Sequence, residues 1–89
     1  GQNIFSSGRL FTVKYENVSG LAPSKPVSVN GLRVGQVKEI KIIDTAKPIY
    51  FEVVISVEKD IQFSKKTIAE IYEPGIMSGP EVRLLLDQM

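Results

Sequence analysis

Cysteine and histidine are both missing from this chain of 89 residues, and so is tryptophan. Without cysteine there is no disulfide and no thiolate metal site. Without histidine the commonest general base and the commonest transition-metal ligand are gone together. An excess of either charge is lacking too. Eleven basic residues face 10 acidic ones, a net charge of +1, which gives no long-range pull on nucleic acid or anionic lipid. No apolar run approaches the roughly 18–20 residues of a membrane helix. No signal peptide, internal repeat, linker or low-complexity tract is visible.

These absences weigh against catalysis. A catalytic site would have to use carboxylates, lysine, serine or tyrosine. The carboxylates are scattered along the chain, mostly at outward strand positions beside Lys or Arg, where solvated cross-strand charge pairs account for them. Lys65-Lys66 reads as a short solvated basic turn. Gly31 and Gly35 have neither dinucleotide spacing nor a following helix. The aromatics are few and mostly alternate into the interior, whereas a nucleic-acid stacking platform needs them exposed beside basic residues. No enzyme, cofactor or metal is expected; a binding or conduit module remains.

What is present has a period of two. In "LFTVKY", Phe11, Val13 and Tyr15 share one face, with Thr12 and Lys14 opposite. "PVSV" and "LRV" flank Asn30-Gly31, the pair that a type I′ hairpin turn favours because both central residues need positive φ. "VKEIKII" and "IYFEVVISV" form another strand pair. "TIAEIYE" and "EVRLLL" form the last. Gly35 is expected to break the strand and permit a bulge or sharp bend, as small barrels require. The count is then seven strands, and the fold class is all-β, a small seven-stranded barrel. One domain is expected over residues 10–87, after a flexible N-terminal segment at 1–9 whose Gly1 reads as a cloning remnant. Such a small domain buries about 60–65% of its unfolded surface and is marginal alone. Several strands are apolar on both faces, for example Ile68 and Tyr72 opposite Ala69 and Ile71. Cover by loops or by a further C-terminal segment, or a subunit interface, are the explanations.

At "ENVSGLAPSKPVSVNGLRVGQVKEI", Glu16 to Ile40, the sequence resembles the MCE (mammalian cell entry) domain of MlaD-like lipid-transport proteins. The likeness rests on Gly20-Leu21 and on "PVxVNGxxVGxVxxI", and it extends from about Phe11 to Leu86. It implies a seven-stranded MCE-type barrel in a periplasmic substrate-binding subunit of an ABC-type phospholipid transport system. It further implies a hexameric ring with a hydrophobic central pore. The parent would be anchored to the inner membrane by an N-terminal helix and partnered with an inner-membrane permease and ATPase.

The resemblance also singles out "PGIMSGP", Pro74 to Pro80. Turn tips usually carry Asn, Asp, Ser or Gly; here Ile76 and Met77 take the two apolar places that line the family's pore. Ser78 stands where the family often has glycine, and Gly79-Pro80 also departs from its pattern. Apart from the family, folding back of the tip onto its own barrel is the alternative, since Met is a common gap filler. For function, the alternative is a structural adaptor barrel of the efflux-adaptor or biotinyl/lipoyl-like kind. A carrier domain needs a lysine at its hairpin tip, and Asn30-Gly31 supplies none.

Overall fold

A computed structural model of the chain describes residues 9–58 and 60–86. Among these there are six strands: β1 (Arg9–Tyr15), β2 (Pro26–Val29), β3 (Leu32–Ile43), β4 (Tyr50–Val57), β5 (Ile68–Tyr72) and β6 (Glu81–Leu85). They form one sheet in the order β1-β4-β3-β2-β6-β5. All neighbours are antiparallel except β2 and β6, which run parallel. The sheet curls into a half-barrel around a core rich in branched aliphatics: Val27, Val34, Val37, Val53, Ile55, Val57 and Val82 are almost fully buried. These stiff side chains fit a narrow, pleated interior. β1 begins at Arg9, and the expected N-terminal segment otherwise lies outside the described residues, as does Asp87.

The expected seven strands become six because residues 32–43 do not divide at Gly35. They run as one strand with two bulges. At Gly35 and Gln36 β3 pairs with both neighbours, Gly35 facing Val27 on β2 and Val57 on β4. A Cβ on Gly35 would lie 1.8 Å from the Ser56 carbonyl oxygen. Glycine here serves a close backbone approach rather than a strand end. The bend falls in the bulges on either side. Between Val27 and Ser28 the β3 partner advances from Gly35 to Arg33, so Val34 is the extra residue; it turns inward and is 1% exposed. The second register shift leaves Lys38 as the extra residue against β4. Bulges of this kind add twist and curl a sheet. The Asn30-Gly31 turn has the expected geometry, with φ of 49° and 87°.

The edge strands β1 and β5 share no ladder, and side chains bridge them. The Tyr15 hydroxyl donates to the Ala69 carbonyl at 2.7 Å. Lower down, Arg9 Nη2 donates to the Ile61 carbonyl at 2.6 Å, and the Phe11 and Phe63 rings meet at 4.9 Å. The Arg9 guanidinium lies over both rings, 5.8 Å and 5.3 Å from their centres. Burial in this seam pushes the Tyr15 phenol from 10.0 up to about 12.

Two expectations follow from these contacts. Gly35→Ala forces the Ser56 backbone to move and should cost about 3 kcal/mol or more. Gly31→Ala, with open space around it but φ at +87°, should cost only about 1–2 kcal/mol. Thermal unfolding of both variants checks the ranking, and an unchanged midpoint for Gly35→Ala contradicts the close-approach role. Tyr15 should in turn make stability fall at alkaline pH. Its folded-state pKa is raised, so between pH 10 and about 12 the native state keeps a proton that the unfolded chain has lost. Tyr15→Phe should lose about 1 kcal/mol at neutral pH, and urea titrations should show a shallower alkaline decline for it than for the parent.

Candidate functional site

The candidate site is the loop between β5 and β6, residues 73–80. Its stem is in regular antiparallel register from Ile68–Leu85 to Tyr72–Glu81. On one face of the stem, Arg83 Nε meets Glu70 Oε1 at 2.6 Å, directly across the strands. The same guanidinium lies 4.4 Å from the Tyr72 ring centre. The pair is half-exposed and contributes little to stability.

At the tip, the Ser78 amide donates to the Gly75 carbonyl at 3.4 Å, which places Ile76 and Met77 at the two central positions of the turn. Ile76 is 99% exposed and Met77 94% exposed. The fold-back arrangement is therefore not adopted: neither side chain is covered by its own barrel. Ser78, the departure from the family's second glycine, is not among the described residues with positive φ; Gly79 is, at 75°. The turn thus accepts serine without left-handed strain at that position, and Gly79 provides the reversal instead. Pro80 precedes β6, where a missing backbone donor costs little.

A residue that the sequence reading did not single out holds this loop. Lys25, half-buried in the β1–β2 connection, reaches across so that its Nζ donates to the Ser78 carbonyl at 2.5 Å. Lys25 is itself fastened to β3: the Val37 amide donates to the Lys25 carbonyl and the Ser24 amide donates to the Val37 carbonyl, both at 2.8 Å. The tip is thereby connected through one side chain to a strand in the middle of the sheet. The contact spans 53 residues, and no local pattern marks it.

Two other features bear on the site. The Asn30-Gly31 hairpin tip is exposed and carries no lysine, so it lacks the attachment group of a biotinyl or lipoyl carrier. Among the residues that are apolar on outward strand faces, Ile68 and Leu85 are 59% and 42% exposed and lie opposite each other. Val54 and Tyr50 are half-buried.

If Lys25 sets the position of the tip, Lys25→Met should speed amide hydrogen exchange at residues 76–79 several-fold while global stability changes by no more than about 1 kcal/mol. Equal exchange rates in the two proteins would show that the loop is held by its own turn alone.

The geometry can be set beside known proteins. The chain matches a family model described as MlaD protein over residues 7–86. No curated protein matches it. The match covers nearly the whole length, including the tip loop, and the all-β half-barrel is the architecture on which it falls. The chain belongs to the MlaD family, a family of lipid-transport-related MCE domains.

Proposed function

We propose that this domain is part of a periplasmic substrate-binding subunit of an ABC-type phospholipid transport system, and that Ile76 and Met77 touch the transported lipid. The observation that carries the reading is the tip: two large apolar side chains stand almost fully in solvent on a loop tethered to the barrel. A single domain gains nothing from such exposure. In a closed ring every subunit offers the same loop to the axis, so the tips together form an apolar collar. A collar of this kind favours acyl chains and disfavours ions. Methionine adds a flexible, polarizable surface that adapts to different tails.

In this reading the parent protein is a hexamer anchored in the inner membrane by an N-terminal helix. An inner-membrane permease and ATPase supply the energy, and the domain performs no covalent step and needs no cofactor. Ile68 and Leu85, exposed side by side on the outer face, are available for burial between neighbouring subunits.

The test is made on the full-length protein. Ile76→Asp and Met77→Asp should leave the barrel folded, since neither side chain is packed, and should abolish lipid transport in cells. Transport near the normal rate with either charged tip would defeat the pore-lining role. Native mass spectrometry of the membrane-extracted protein should report six subunits with bound phospholipid. A monomer holding a tight protein partner and no lipid would instead favour the adaptor reading.

A further inference from the structure

We propose that the seam between β1 and β5 contains a second, separate binding site, which takes a single alkyl chain ending in an anionic head group, in the simplest case a fatty carboxylate. The seam shows why a space opens there. Arg9 meets Ile61 and Phe11 meets Phe63, both at a sequence separation of 52, whereas Tyr15 meets Ala69 at a separation of 54. The segment beside β1 thus holds two more residues between its contacts than β1 does. The excess is taken up by the turn at Ser64–Thr67, closed by the Thr67 amide donating to the Ser64 carbonyl at 3.1 Å. Where this turn leaves the seam, a cavity of about 260 Å³ remains, partly open to solvent.

The cavity's walls are mainly apolar. Phe11, Val13, Ile55, Phe63, Ala69 and Leu84 provide the apolar part. Ser64, Lys65 and Thr67 contribute polar groups from the turn, and Thr12 from β1. Lys65 and Lys66 are exposed, and neither has a carboxylate partner among the described residues. The Thr67 hydroxyl is buried without a hydrogen-bond partner, the one such side-chain atom among the described residues. An orphaned buried hydroxyl calls for a partner. A lysine on the turn, together with the Thr67 hydroxyl once it rotates toward the cavity, is complementary to a head group that only accepts hydrogen bonds, which is a carboxylate's property. Size selects the tail: the volume exceeds the roughly 150 Å³ of a cavity that holds benzene and falls below the roughly 300 Å³ at which drug-sized sites begin. One alkyl chain fits, and the two chains of a phospholipid do not.

The experiment titrates the isotope-labelled domain with decanoate below its micelle concentration and follows the backbone amides. Shifts should concentrate at residues 11–13 and 63–69. Decyltrimethylammonium, with the same tail and the opposite charge, should bind about tenfold more weakly, and Lys65→Glu should weaken decanoate by about tenfold. Thr67→Val should leave the unliganded domain as stable or more so, while lowering decanoate affinity; a merely structural role for the hydroxyl moves the two together. Ala69→Phe should fill the cavity and abolish binding, and if that variant does not fold, the Thr67 and Lys65 variants still decide. Met77→Asp should bind decanoate as the parent does, which keeps this site distinguishable from the tip. Equal affinity for the two amphiphiles, shifts centred on residues 75–79, or no localized shifts would each overturn the proposal.

Discussion

The close passage of Gly35 beneath the Ser56 carbonyl is the constraint on which the rest of this fold depends. β3 is the longest strand, and at Gly35 it is hydrogen-bonded neighbour to β2 and β4 at once. Any side chain there would push the two ladders apart, since even a Cβ would sit 1.8 Å from the oxygen. With the ladders held together, curvature has to be found nearby, and it is found in the single extra residues Val34 and Lys38. The first of these also fills the core. Removing one hydrogen-bonded opposition turns a valine that would face outward into one of the most buried residues of the molecule. Curvature and core packing are therefore two consequences of the same arrangement.

Curling brings the two edge strands near each other without pairing them. Sheet edges are a hazard because unpaired backbone groups template aggregation. This chain covers much of its seam with side chains: an arginine over two phenylalanine rings, a tyrosine hydroxyl on a carbonyl, and the Ile61–Phe63 segment packed onto the core. Side-chain closure is less regular than a ladder. It tolerates a mismatch of two residues between the facing segments, and the mismatch leaves a cavity beside a core made mostly of valines.

Much of this was legible in the sequence, and the parts that were not have a common cause. Period-two patterning located every strand, and Asn30-Gly31 announced its turn, because both are local properties of a few consecutive residues. The motif from Glu16 to Ile40 pointed to the family for the same reason. Gly35 was correctly marked as a site of bulging, and bulges flank it, but the strand is not broken there. A glycine within a strand signals either a break or a close approach, and only the position of Ser56, twenty-one residues later, decides between them. Lys25 and Tyr15 were invisible as anchors because their partners Ser78 and Ala69 lie 53 and 54 residues away. The exposure of Ile76 and Met77 was left open by pattern alone. Glycines and prolines around a turn say that the chain reverses, not whether its tip lies on the barrel or stands away from it.

The tip poses a physical question that the tether helps to answer. Burying an exposed isoleucine or methionine is worth about 1.5–3 kcal/mol, a free energy that this domain leaves unclaimed at both positions. On a floppy loop the gain on contact with a lipid would be largely cancelled by the cost of ordering the chain, at about 1–2 kcal/mol per residue. Here part of that ordering is already present in the folded domain. The Gly75–Ser78 turn is closed and Lys25 holds the Ser78 carbonyl. Pre-ordering lets each weak apolar contact count almost fully. Under the proposed ring arrangement, many such contacts of a few kcal/mol would act on one acyl chain, each small enough to be released as the next is made. Conduction requires binding favourable enough to admit the cargo and weak enough to let it leave. A collar built from single exposed side chains on short, tethered loops meets both conditions, which a deep pocket in each barrel would not.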